Sequence, residues 1–203
     1  TGQPVREAGL YSMLALLAAV GGDGPRCREL AASALRQFAA EEVANVSTMA
    51  EWALGLLDLG LGRYGAALNR FEMTATGALR HYIQPILFAP DQIEAAVRFG
   101  PANHEAPGVG ASAADRAAEP LARFAAWARA TGQPWARAVL HRCQALAGDG
   151  DPEEHYREAL RQHAVSGRPF EHGRTELLYG EWLRRGRRGT DARAHLRAAL
   201  TLF

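Results

Sequence analysis

Apolar side chains return every three or four residues along almost the whole chain and hardly ever alternate with polar ones, so the pattern predicts helices and almost no strand. Leu10, Met13, Leu14 and Leu17 share one face of a first helix that Pro4 opens and Gly21-Gly22 close. Pro25 opens a second, with Leu30, Ala34, Leu35 and Phe38 inward. Ser47, with Glu51 close behind, reads as the N-cap of a third carrying Trp52, Leu56 and Leu59 before Gly60 and Gly62 break it. Tyr64 to Leu79 returns against it, and Ile83 to Phe88 leads through Pro90-Asp91 into a helix reaching Val97. Farther on, Asp115, Pro134 and Pro152 each begin a helix, with apolar stripes Leu121-Phe124-Trp127, Trp135-Val139-Leu140-Cys143 and Tyr156-Ala159-Leu160. Arg174 to Phe203 reads as one further hairpin, giving about ten helices in antiparallel pairs.

A spacing recurs within this pattern. Gly55 is followed twelve residues on by Ala67 and four more by Phe71, and Gly180 is followed at the same offsets by Ala192 and Leu196. Small residues facing each other let two antiparallel helices approach closely while larger ones fill the flanks. Leu54-Gly55, Gly62, Tyr64, Ala67 and Phe71 match the tetratricopeptide pattern. The match is degenerate: Asp58 stands where the pattern prefers an aromatic and Thr74 where it prefers Ala, and the second copy has Tyr179 before its Gly and no turn Tyr. The expected fold is therefore all-α, with tetratricopeptide-like antiparallel hairpins stacked in a right-handed solenoid.

Residues Gly100 to Ala113, rich in Gly and Pro and without an apolar period, are expected to form a flexible loop between repeats 1–99 and repeats 114–203 of one continuous solenoid. Beginning at Thr1 and ending inside a helical pattern, the chain is expected to be a segment of a longer protein.

Composition narrows the function classes. With 48% apolar residues the chain can build a continuous core, and its net charge of +1 argues against a nucleic-acid footprint. All positive side-chain charge is arginine, since there is no lysine, which removes Walker-type phosphate binding and Schiff-base chemistry. The densest cluster, Arg184, Arg185, Arg187 and Arg188, is expected to be a solvated turn at a helix end. Cys27 and Cys143 lie far apart with no C-x-x-C partner, so no zinc or redox motif is available. No apolar run approaches the roughly 18 residues of a membrane span, and cytoplasmic residence is expected.

Seven histidines raise the question of a metal, but their spacing does not favour one. His155 and His163 fall two turns apart, roughly 12 Å along a helix. His141 and Cys143 point apart, and His163 and His172 can meet only across the turn at Gly167 to Pro169. Exposed helix histidines are the expectation. The adjacent acids Glu41-Glu42 and Glu153-Glu154 read as helix-terminal charges rather than a converging acid/base pair. No catalytic, cofactor-binding or metal-ligating residue is assigned. The remaining candidates are aromatic: Trp52, Trp127, Trp135, Phe170, Tyr179 and Trp182 either line a concave groove for a peptide or small ligand, or pack between repeats, the second being what core packing demands.

The strings APDQIEAAVR (89–98), LARFAAWARATGQPWARAVLHRCQALAG (121–148), EEHYREALRQHAVSGRPFEHGRTELLYGEWLRR (153–185) and ARAHLRAAL (192–200) resemble the helical repeat region of large ATP-binding LuxR-type (MalT-like) transcriptional regulators of actinobacteria. The resemblance implies a three-part protein with an ATPase module, this sensor and assembly region, and a DNA-reading helix-turn-helix. Only the middle part lies here, so ATP and DNA binding would belong to modules outside these residues and enzymatic activity is not expected of this chain. Expected partners are a protein or a small-molecule inducer, the other modules of the same polypeptide, and a second copy in a homo-oligomer. A free-standing adaptor that binds a protein partner is the alternative.

Overall fold

The computed structural model describes residues 3–36, 44–76, 83–100 and 112–203, all α-helices and the turns between them. The helices are α1 (Gln3–Val20), α2 (Gly24–Arg36), α3 (Ala44–Gly60), α4 (Tyr64–Thr76), α5 (Gln84–Leu87), α6 (Ala89–Phe99), α7 (Ala113–Thr131), α8 (Pro134–Ala147), α9 (Pro152–His163), α10 (Pro169–Arg185) and α11 (Gly189–Leu202). Helices adjacent in sequence pack as pairs: α1 with α2, α3 with α4, α8 with α9 and α10 with α11. Most of the 100–113 loop lies outside the described residues, as do Phe38, Glu41, Glu42 and Leu79. Among the described residues no helix is long and apolar enough to cross a membrane.

The chain forms two compact units, Thr1–Pro120 and Leu121–Phe203. In the first, α3 lays Ala50, Ala53, Leu54 and Leu57 against Ala15 of α1 and Cys27, Leu30, Ala31 and Ala34 of α2. The Cys27 thiol, pushed upward in pKa by burial, reaches the Ala53 carbonyl at 3.7 Å. Farther along, Phe71 stacks on Phe88 at 5.4 Å, joining α4 to the turn before α6. In the second unit, Ala145, Tyr156, Leu178, Tyr179, Leu183 and Ala192 form one buried cluster.

Turn chemistry explains where the helices stop. Gly22, Gly62 and Gly148 adopt φ of 74°, 74° and 72°, a left-handed conformation that glycine takes without a Cβ clash. Their neighbours close the same C-terminal ring: Asp23 N donates to Ala18 O, Arg63 N to Asp58 O, and Asp149 N to Gln144 O. At the α10–α11 turn Arg187 takes this role, with φ 60°, and Arg188 N donates to Leu183 O. Helix starts are equally local. The Ser112 hydroxyl accepts from Asp115 N at 3.1 Å while the Asp115 carboxylate accepts from Ser112 N at 2.9 Å, a reciprocal cap on α7. Asp151 caps α9 by accepting from Glu153 N. Ser47, expected as a cap, lies inside α3 because that helix begins earlier, at Ala44.

The recurring small-residue spacing has a direct geometric meaning. A methyl group added at Gly55 would meet the Phe71 ring at 2.6 Å, and one at Gly180 would meet Leu196 Cγ at 2.8 Å and Ala192 O at 3.2 Å. In α1 and α2 the corresponding positions are Ala15, Cys27 and Ala31, all fully buried. They form a third copy of the crossing. The sequence hides it because all three side chains are small.

Candidate functional site

The crossing at α8 and α9 departs from the others. Counted from the turn, His141 stands where α3 has Gly55, and, counted from the start of the following helix, His155 stands where α4 has Ala67. Two additional turn residues, Gly150 and Asp151, let the hairpin take these larger side chains. The two Nδ1 atoms lie 3.0 Å apart with ring centroids at 5.3 Å, so the imidazoles meet nearly end-on. One must donate and the other accept, a state lost when both carry Nδ1 protons. Burial, and then the charge of His155, hold the His141 pKa below its ordinary value.

A second set of histidines follows on α9, α10 and α11. His163 is buried rather than exposed as the sequence led us to expect, because the turn at residues 164–168 folds it beneath α10. Its Nε2 lies 2.9 Å from Thr175 Oγ1, whose hydroxyl donates to Glu171 O at 3.1 Å, and this network assigns the proton of a neutral His163 to Nε2. Burial, then the positive charges of Arg142 and His172, depress its pKa to about 3. The His172 ring stacks on it at 5.3 Å. Glu176 continues the row, with one oxygen 3.5 Å from His172 Nε2 and the other 2.5 Å from His195 Nδ1. Among the described residues no group of three or more His, Cys, Asp or Glu side chains converges to hold a metal.

His195 is also part of an open groove of about 680 Å³ between α9 and α11. Arg157, Leu160 and Arg161 form one wall, Arg188, Asp191, Ala194 and His195 the other, and Tyr179 of α10 lies at its base. Carboxylates hold the arginines in place. Glu153 accepts from Arg157 at 2.5 Å, from Arg188 at 2.8 Å and from the Tyr179 hydroxyl at 3.1 Å, while Glu158 takes Arg161. The Arg188 hydrogen bond keeps the Glu153 carboxyl below the usual range, and burial followed by Glu153 raises the Tyr179 phenol. Arg157 and Arg161 still leave more than half of their side chains exposed. The groove thus offers fixed cationic hydrogen-bond donors above an aromatic floor, an arrangement suited to binding a polar or anionic surface. Arg188, expected as part of a merely solvated cluster, ties the α10–α11 turn to α9.

The six aromatic candidates fall into four separate contacts. In the first unit, Trp52 Nε1 donates to Asp91 Oδ2 at 2.7 Å and its ring lies 6.3 Å from Phe88. In the second, Trp127 and Trp135 pack at 5.5 Å, with the Arg168 guanidinium 4.1 Å over Trp135. Phe170 packs against Phe203 at 5.9 Å. Tyr179 stacks on Tyr156 at 5.0 Å, with Trp182 beside it at 6.1 Å. Of the six, only Tyr179 lines the groove. Comparison with known protein families, curated proteins and solved structures finds no match to this chain.

Proposed function

We propose that this chain is the helical-repeat sensor and interaction region of a larger ATP-dependent LuxR-type transcriptional regulator. The observation that carries this reading is the repeated hairpin crossing at Ala15/Ala31, Gly55/Phe71 and Gly180/Leu196, joined to the resemblance of the strings between residues 89 and 200. We read the successive hairpins as one right-handed tetratricopeptide-like array, in which each hairpin buries its face on its neighbour and leaves side surfaces free for binding. The groove over Tyr179 is where a protein partner or an inducer would dock, with Arg157 and Arg161 contributing charge-assisted hydrogen bonds. A ligand that prefers one spacing of α9 and α11 shifts the repeat array by its differential affinity, and that shift is relayed to the ATPase and DNA-binding modules.

The test is promoter retention by the whole gene product beside this chain alone. The reading expects ATP-dependent DNA binding by the whole product and none by these residues. A complete product of this length that binds a protein and no DNA would instead establish the adaptor.

A further inference from the structure

His141 and His155 stand in the positions that Gly55 and Ala67 hold in the α3–α4 hairpin and that Gly180 and Ala192 hold in the α10–α11 hairpin. Those hairpins use the small residues to bring a bulky apolar side chain against a bare α-carbon. At the α8–α9 crossing the apolar contact is replaced by two half-buried imidazoles that face each other through Nδ1. Gly150, in the lengthened turn, leaves room for the second ring, since a methyl group added there would lie 3.1 Å from His155 Nε2. The turn and both helices are thus fitted to a pair of nitrogen ligands.

We propose that His141 and His155 hold a divalent transition-metal ion between their Nδ1 atoms, with water or an exchangeable ligand in the remaining coordination positions. The separation of the two nitrogens, 3.0 Å, carries this. Imidazole nitrogens about 2.0–2.1 Å from one ion, at the angles of tetrahedral or octahedral coordination, lie about 2.8–3.4 Å apart. The rings now point at each other, with centroids 5.3 Å apart, and turning both to one side about the soft χ2 torsion aims the two lone pairs at a common point. Protons balance. The ring that donates through Nδ1 takes its other tautomer, with the proton on Nε2, and the ion replaces the shared hydrogen without a proton leaving the neutral pair. Burial already favours the neutral form of His141 that a metal requires. Of the other charges that reach it, Glu158 and Glu154 are negative and only Arg161 is positive, so its surroundings suit a cation. Imidazole donors select Zn²⁺, Ni²⁺ and above all Cu²⁺ over Mg²⁺ and Ca²⁺. With two protein ligands the ion ties α8 to α9 and keeps open positions toward solvent.

Calorimetric titration of Zn²⁺ into the full chain, free of any affinity tag, tests this beside His141→Ala, His155→Ala and a His172→Gln/His195→Gln control. The expected result is one ion per chain, with a dissociation constant that rises about tenfold or more in either alanine variant and is unchanged in the control. A measurement on the unaltered chain does not depend on how the variants fold. With one equivalent of Cu²⁺, its electron spin-echo spectrum should show two coordinated imidazoles. Absence of saturable binding, equal Zn²⁺ affinity in the unaltered chain and both alanine variants, loss of binding in the control, or a Cu²⁺ spectrum with a single imidazole overturns the proposal. Any of these would leave the pair as a hydrogen bond alone.

Discussion

Gly55 lies so close beneath the Phe71 ring that a single added methyl would come within 2.6 Å of it. The ring cannot retreat, because it is fully buried and stacked on Phe88. This contact sets how closely α3 and α4 approach. Gly55→Ala should destabilise the first unit by a net of about 1–2 kcal/mol, overpacking outweighing the better helix propensity of Ala. Its melting midpoint should fall by about 2–6 °C. Adding Phe71→Leu, the side-chain type found at position 196, should return part of the loss, so that calorimetry shows non-additive effects.

The αL turn at Arg187 predicts the opposite sign. Gly22 and Gly62 hold the corresponding positions in the earlier hairpins, whereas Arg187 adopts φ 60° with a Cβ in the way. Its side chain is exposed. Arg187→Gly should stabilise the second unit by about 0.5–1 kcal/mol, read as a higher urea midpoint with an unchanged slope.

Protonation of His163 predicts acid sensitivity of the second unit. Its folded pKa, about 3, lies below an unfolded value near ~6.5, so the folded state binds fewer protons. The stability it contributes is fully present above roughly pH 6.5 and is lost as pH falls from there toward 3, amounting to roughly 2 kcal/mol at pH 5. Urea titrations at pH 7.5, 6 and 5 should show this decline. His163→Gln, which keeps a donor near Thr175 but does not titrate, should flatten the decline while costing some stability at pH 7.5.

Arg70 spans two carboxylates, with its Nη1 2.6 Å from Glu51 and its Nε 3.1 Å from Asp58, both on α3. About a third of its side chain is exposed, so solvent screens the pair. Arg70→Met should cost about 1–2 kcal/mol, chiefly by leaving Asp58 only its 3.6 Å contact with Arg63. Asp58→Asn in that background should recover part of the loss in a double-mutant cycle. The same contacts explain why Asp58 stands where the repeat pattern prefers an aromatic: it ties α3 to α4 by charge at a place where the pattern uses ring packing.

The hairpins were legible in the sequence because their punctuation is strong. Gly22, Gly62 and Gly148 end helices, Pro134 and Pro152 begin them, and the spacing of Gly55, Ala67 and Phe71 depends on a bulky ring beside a bare α-carbon, whereas α10 begins at Pro169, before the Arg174 expected from the sequence. The α1–α2 crossing left no such trace, since Ala15, Cys27 and Ala31 are each too small to stand out. The pairing of His141 with His155 escaped notice because the two additional residues of their turn shift the spacing. Local patterns report one helix at a time, so they cannot show which side chains meet across a turn. For that reason the six aromatics could be named as candidates but not sorted, and the groove depends on Arg157, Arg161 and Arg188, which read locally as helix-surface charges.

The claim that these repeats control an output made elsewhere in the polypeptide is tested most directly by titrating ATP into the whole gene product and measuring promoter retention, with and without Gly180→Ala. That substitution presses on the α10–α11 packing at Leu196 and Ala192. A relay predicts that the ATP concentration for half-maximal retention moves by more than about threefold, within the usual range of coupling energies, while the fold is kept. Superimposable titrations, or DNA retention by residues 1–203 alone, would contradict it.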